Sequence, residues 1–519
     1  MRFWVAALIS VLLVTPAHAR WLQAESEHFV IYAEDSEKDL QHFAEMLERY
    51  HTALEKLTGK TTETPSPSNR ITIFVLGSER AVRKAHGTGD RFVAGFYTPR
   101  AGASRAYVPR LRRSSGEPDF SQTVLLHEYA HHFLISTSRF AMPRWLSEGL
   151  AEFYASARVL DDGSLQIGRP ANHRAGELEY AVKVPIRELL DPELYEQNRG
   201  RRYDNFYGRS WTLVHYLWFT DERKGQLNAY WQAVAAGTPS LKAAEKVFGD
   251  LDALDNDIDA YLRQRRMLTY KLSPELLPIG PVRVFGVSDG LDAMLPVIAH
   301  SQSGVTREEA LDLLPDARKI AARYPDDARV LGGLAEAEVD AGHYDEAVAV
   351  ADRAIAIDGT VANAHLQKGL ALFRKAGDAT DQDAAYRDAI LAFAGLNKLE
   401  NDNPLPLIYL YRSYVDRGLA PSEHAQHALI RATELAPFDQ DLSMELAIMF
   451  AQTGAIANAR ATFAPVAANP HGGPRAEIAR RSLGELIAAE EGKPFRLSFL
   501  DQQPADAGDA IEEPQAGTK

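Results

Sequence analysis

The chain has 519 residues, 71 acidic against 57 basic, and a formal net charge of −14. That balance argues against nucleic-acid binding, which needs a basic footprint. There is no cysteine, which excludes a disulfide framework, an iron–sulfur cluster, a cysteine nucleophile and Cys-ligated zinc. A transition metal would have to be held by histidines and carboxylates.

The N-terminus reads as a targeting segment. Arg2 precedes an apolar run over residues 3–14 interrupted only by Ser10, Thr15 and Pro16 end it, and Ala17-His18-Ala19 fits the small-x-small cleavage rule. The run falls short of the roughly 20 residues that span a membrane. Residues 1–19 are therefore expected to be a signal peptide and the mature chain to be exported, with a bacterial periplasm as its compartment. No later stretch is apolar enough to predict a transmembrane segment after cleavage.

Residues 20–270 then alternate strand and helix signals. Residues 28–32 read as a strand. Residues 35–57 read as a helix, with Leu40, Phe43, Met46, Leu47, Tyr50 and Leu54 at three- and four-residue spacing and Gly59 ending it. Residues 71–76 form a second strand, and 95–109 a hairpin turning at Gly102. Residues 120–157 are helical, broken near Pro143, and a hairpin around Asp161-Asp162-Gly163 leads into helices to about residue 270. Residues 271–305, with several Pro and Gly and one strand-like run at 282–287, are expected to connect two larger bodies. From 306 to 490 the chain becomes alanine-rich helix pairs. Residues 328–361 carry Gly342, Tyr344, Ala347, Ala351 and Ala354 at the offsets of a tetratricopeptide repeat (TPR). A second unit starts near Ala362 with an insertion at 380–383, and two more run over 405–437 and 439–470. Residues 491–519 read as a disordered acidic tail.

The sharpest chemical signal is His127-Glu128-Tyr129-Ala130-His131. On a helix, residues i and i+4 share a face, so both histidines can point at one metal ion. Glu128 lies about 100° around the helix, placed to take a proton from a water that the metal activates. A catalytic zinc site wants a third protein ligand and an open fourth position. The following segment, Pro143-Arg144-Trp145-Leu146-Ser147-Glu148-Gly149-Leu150-Ala151-Glu152-Phe153, offers two carboxylates one turn apart on an otherwise apolar helix. Glu152 could hydrogen-bond the back of a ligating imidazole.

These two motifs resemble the gluzincin branch of the zincin metallopeptidases. More closely, residues 21–270 are similar to peptidase MA-like domains of exported bacterial proteins, often joined to TPRs. The resemblance implies an α+β zincin-like domain followed by an all-α TPR-like solenoid. It implies one zinc held by His127, His131 and Glu148, with Glu128 as base. It also places Tyr207, in Asn205-Phe206-Tyr207-Gly208-Arg209, where related peptidases have a tyrosine that donates to the oxyanion; His215 is the rival donor. The Gly-x-Met-Glu-Asn segment of gluzincin aminopeptidases is absent from the sequence, which leaves endopeptidase action or another hydrolysis open.

The function expected is hydrolysis of peptide or protein substrates, with the TPR region recruiting a protein partner. The alternatives are a catalytically idle zincin/TPR scaffold of the cell envelope and a zinc hydrolase of a non-peptide bond. His132 is expected to face away from the metal, and His424 and His427 to lie on the surface. Arg80, Arg83, Lys84, Arg91, Arg100, Arg105, Arg110, Arg112 and Arg113 form either a basic lip for an anionic substrate or a solvated loop face.

Overall fold

The structure, a computed structural model, describes residues 20–87, 95–110, 118–200 and 203–501. The expected signal peptide and Arg91, Arg112 and Arg113 lie outside the described residues. Nine strands are described: β1 (Leu22–Glu25), β2 (Phe29–Ala33), β3 (Ile71–Leu76), β4 (Phe96–Thr98), β5 (Arg105–Pro109), β6 (Arg158–Val159), β7 (Leu165–Ile167), β8 (Tyr270–Leu272) and β9 (Arg283–Gly286). Six make one mixed sheet in the order β4-β5-β3-β2-β1-β9, and β6-β7-β8 make a small second sheet. In the large sheet β2, β3 and β5 run parallel, while β1, β4 and β9 pair antiparallel with their neighbours.

Strand alternation gives this sheet two buried faces. Phe29, Ile31, Ile73, Val75, Ala106 and Val108 face the main core, which is shared with helices α1 (Glu37–Thr58), α3 (Phe120–Thr137) and α4 (Arg144–Ala155). The short helix α2 (Glu79–His86) lies between β3 and β4. Helix α1 starts at Ser36, whose side chain accepts the Asp39 N–H, and stops at Gly59 in the left-handed region, φ 66°. Trp21, Phe74, Phe96 and Tyr107 face the other way. The rest of this body is helical: α5 (Ala175–Tyr180), α6 (Ile186–Leu190), α7 (Pro192–Arg199), α8 (Phe206–Phe219), α9 (Gln226–Ala235), α10 (Ser240–Phe248) and α11 (Leu251–Leu262).

The stretch 271–305 is not a connector. β8 and β9 extend the two sheets, and helix α12 (Asp289–Ser301) packs Leu291, Leu295 and Ala299 against the second face of the large sheet. That face carries large aromatics and needs a cover. The helical array accordingly begins at α12 rather than at residue 306, since Met294 and Val297 of α12 also join the first repeat core.

The array continues as antiparallel pairs: α13 (Arg307–Arg323), α14 (Ala328–Asp340) with α15 (Tyr344–Ile357), α16 (Ala362–Ala376) with α17 (Gln382–Leu399), α18 (Pro404–Val415) with α19 (Glu423–Leu435), α20 (Gln440–Thr453) with α21 (Ile456–Ala468), and a closing α22 (Gly473–Glu485). Its apolar cores are local and successive, as expected of stacked repeats. This is a TPR-like solenoid.

The expected tail from residue 491 is corrected for 491–501. Leu497 is fully buried in the last repeat core, and the Phe495 N–H donates to the Ala451 carbonyl at 2.8 Å. Four apolar residues in this stretch (Phe495, Leu497, Phe499, Leu500) make it a cap on the final repeat. Residues 502–519 lie outside the described residues. No helix among the described residues is long and apolar enough to cross a membrane.

The array also folds back onto the α+β body along one edge. The turns that precede the first helices of successive repeats lie on that edge, because the repeat period returns each to an equivalent place. At the turn before α18, Asp402 accepts the Ser66 N–H at 2.9 Å and Glu400 the Ser68 N–H at 3.1 Å. At the turn before α20, Asp439 accepts the Ala101 N–H at 2.8 Å and Phe438 packs on His132, with ring centres 4.3 Å apart.

Candidate metal centre

The site is built on α3, α4 and α8. Helix α3 is capped by Asp119, which accepts the Gln122 N–H at 2.7 Å, and is apolar on nearly all sides, as a helix inside a core must be. Helix α4 is buried along its whole length after Arg144. Trp145 anchors it by donating its indole N–H to the Tyr230 hydroxyl at 2.9 Å. Gly149 lets α4 cross α8. A methyl added there would stand 2.5 Å from the Ser210 carbonyl oxygen and 2.8 Å from Val214 Cγ2. Gly149→Ala is therefore expected to destabilise the fold. The clash costs about 1–3 kcal/mol and outweighs the roughly 1 kcal/mol that alanine gains over glycine in a helix. Because Glu148 is the neighbouring residue, any metal that the cluster holds should be lost as the melting temperature falls. A melting temperature that stays or rises would show that the two helices part freely.

His127, His131 and Glu148 come together as the motif suggests. The two Nε2 atoms face each other at 3.1 Å, and each lies 3.4 Å from Glu148 Oε2. Two ligands at zinc distances of about 2.0–2.1 Å, set at a tetrahedral angle, stand about 3.3 Å apart. The three observed separations match that geometry. The backs of both rings are held: His127 Nδ1 faces Glu152 Oε1 at 3.4 Å, and His131 Nδ1 faces Ser147 Oγ at 3.2 Å. With the Nδ1 protons directed there, both Nε2 lone pairs point at the shared space.

Glu148 is fully buried, and its carboxylate oxygens face imidazole nitrogens: His127 and His131 at Oε2 and His471 at Oε1. Burial opposes its charge, but His471, His127 and His131 hold its pKa well below the usual carboxyl range. A fully buried carboxylate met by the nitrogens of three imidazoles is a donor set that fits a cation at the centre.

Glu152 Oε1 lies 3.4 Å from His127 Nδ1, and its other partners are two residues that the sequence does not point to. Its Oε2 lies 2.5 Å from His173 Nε2, and its Oε1 accepts from Arg174 Nε at 2.9 Å and Nη2 at 2.5 Å. Burial opposes its charge; Arg174, His127 and His173 more than offset this and depress its pKa strongly. Glu128 is half-buried and is not one of the clustered donor atoms. It lies close enough to both His127 and His471 to favour their charged forms.

Tyr207 packs on Arg174, the partner of Glu152. Burial, with Glu148 adding to it, raises the phenol pKa; Arg144 hydrogen-bonds it, and the Arg174 guanidinium sits 4.6 Å from the ring centre. His215, the rival donor, is engaged elsewhere. Its Nε2 faces the Gly168 carbonyl at 2.9 Å, its Nδ1 faces the Tyr261 hydroxyl at 2.8 Å, and burial brings its pKa down to about 4. His132 packs away from the centre against Tyr97 and Phe438, and His424 and His427 are exposed. Neither reading of the basic stretch holds for all of its described members. Arg105 donates to Gln302 of the array at 3.0 Å, and Arg110 pairs with Asp35 at 3.4 Å.

The residue that sequence reasoning did not bring to the site is His471, in the turn between α21 and α22. Its Nε2 stands 3.0 Å from Glu148 Oε1. One donor atom from each of His127, His131, Glu148 and His471 lies within 4.8 Å of every other. Burial alone would lower the His471 pKa, but Glu148 and Glu128 bring it up to about 9.

A family model described as "Protein of unknown function (DUF1570)" matches residues 122–240, a stretch that includes His127, Glu128, His131, Glu148, Glu152 and Tyr207. No curated protein matches the chain in sequence. Among solved structures, the chain is similar to a thermophilic TPR protein of Thermus thermophilus, with 14% identity, coverage of 38% of this chain and 95% of that one, and a TM-score of 0.29. It is also similar to the MamA RS-1 ArsTM double mutant, with 17% identity, coverage of 38% and 97%, and a TM-score of 0.27.

Proposed function

We propose that the α+β body is a zinc-dependent hydrolase of the gluzincin metallopeptidase type, exported to the bacterial periplasm and joined to a repeat array that binds protein. The observation that carries this reading is the donor set. Two imidazole nitrogens, 3.1 Å from each other, each stand 3.4 Å from one oxygen of a fully buried carboxylate. Zinc, when bound by His127, His131 and Glu148, supplies the Lewis acidity that brings a water's pKa towards neutrality. Glu128, one residue on from a ligand and free of the donor cluster, takes the proton of the attacking water and returns it to the leaving amine. Tyr207 is a protonated phenol at neutral pH, as any tyrosine is, and can donate one hydrogen bond to the developing oxyanion. Glu152 fixes the orientation of His127.

A second reading has its own support. The helical array suits protein binding, and His471 brings a fourth protein donor to the centre, as in closed structural sites. On that reading the chain is a scaffold with an idle zincin-like body. The first test is common to both. Metal analysis of the purified chain is expected to find one zinc in wild type and none in the His127→Ala/His131→Ala double variant. Equal zinc content in the two would refute the centre.

A further inference from the structure

We propose that His471 is a fourth, reversible ligand of this centre, delivered by the repeat array to close the position that water and substrate would use. The inference rests on the zinc reading above. Its first support is distance: His471 Nε2 is 3.0 Å from the very carboxylate that both α3 histidines face. Its ring lies 5.4 Å from that of His131 at an interplanar angle of 73°, an arrangement in which two imidazoles can converge without stacking.

The second support is how the residue arrives. The turns before α18 and α20 already clamp the array to the α+β body. The next equivalent turn, one repeat further on, is the one that carries His471. Within it, Asn469 Oδ1 accepts the His471 N–H at 2.8 Å and the Asn469 carbonyl accepts the Gly472 N–H at 3.2 Å. Gly473 takes a positive φ of 49°, which a residue with a Cβ adopts only under strain. The turn is thus shaped locally and docked by the periodicity of the array.

The third support is contrast in burial. Glu148 is fully buried, yet the His471 side chain keeps 37% of its exposure. The three inner donors cannot leave without opening the core, whereas His471 can leave by a rotation at the surface. A three-ligand zinc site keeps its fourth position for water or substrate, and a four-ligand site does not. Substrate therefore requires this turn to lift, and anything that pulls the C-terminal repeats off the body would open the centre.

Cobalt(II) in place of zinc reports ligand number without any substrate. Full-length wild type and His471→Ala are loaded with cobalt(II), after matching circular dichroism shows that both are folded, and are titrated with azide. Both are expected to bind cobalt through the three inner donors. The wild-type visible bands should resist azide, and those of the variant should differ at the outset and shift as azide binds. Loss of cobalt from the variant alone would also support ligation. Identical spectra with identical azide responses would overturn the latch and leave the three-ligand centre standing. Failure of wild type itself to bind cobalt would overturn both the latch and the zinc reading.

Discussion

Replacing Glu128 by glutamine is expected to leave zinc content unchanged and to lower hydrolysis roughly 100- to 10,000-fold, the range for loss of a general base. The two halves of this expectation follow from the same geometry. Glu128 is on α3 beside His127 but is not among the clustered donors, so the metal does not need it. Its charge nevertheless favours the charged forms of both His127 and His471, so it lies near the centre without belonging to the donor set. Glutamine has the same length and the same helix preference, so the fold should not change. Turnover on a casein or mixed-peptide substrate is measured in wild type and again with His471→Ala in both proteins, because a closed centre would hide the difference. Full activity of Glu128→Gln in the His471→Ala background would move the base elsewhere. No hydrolysis by His471→Ala, despite bound zinc, would favour the scaffold reading.

The α+β elements were readable because their signals are local. Three- and four-residue spacing marks α1, and the Gly102 turn marks the β4–β5 hairpin. The role of 271–305 was not readable, since β9 joins the sheet at an edge next to β1, far away in sequence. Nothing in the six residues 282–287 states that partner. The burial of 491–501 is equally non-local. The polar, acidic residues that follow it dominate the composition of 491–519 and mask the apolar group Phe495, Leu497, Phe499 and Leu500.

The site divides in the same way. His127, Glu128 and His131 share one helix, and Glu148 and Glu152 share the next, so helical geometry alone pairs them. His173 and Arg174 sit in a short turn with no periodic signal, and only the fold shows that they neutralise Glu152. His471 is hardest to foresee, because it needs the curvature of the whole array to meet Glu148. One signal was available: a histidine in the turn between repeats, within Pro470-His471-Gly472-Gly473, where a repeat has no need of one.

Glu152→Gln is expected to weaken zinc binding about 10- to 100-fold, the usual cost of losing a partner behind a ligating histidine, and to destabilise the chain by about 3 kcal/mol. Glutamine matches the volume of glutamate, so no cavity forms and packing around Phe153 survives. What changes is charge. Glu152 is fully buried and faces Arg174, His173 and His127 together. Removing one member of a buried pair costs about 3–5 kcal/mol, because the other is left uncompensated. Arg174 keeps a 3.4 Å contact to Glu177 and 30% of its side-chain exposure, which places the loss at the lower end. The sign of the pH dependence follows from the depressed Glu152 pKa. Its stabilising contribution is complete above the ordinary glutamate value of 4.5 and is lost as the pH falls below it. Denaturation of metal-free protein should therefore separate wild type from Glu152→Gln at neutral pH and bring the two together in acid. Zinc affinity is measured separately by chelator competition at neutral pH. If the variant were as stable as wild type but weaker in zinc, Arg174 would be hydrated rather than buried in need of its partner. If it were unstable but bound zinc normally, His127 would be oriented by something other than this carboxylate.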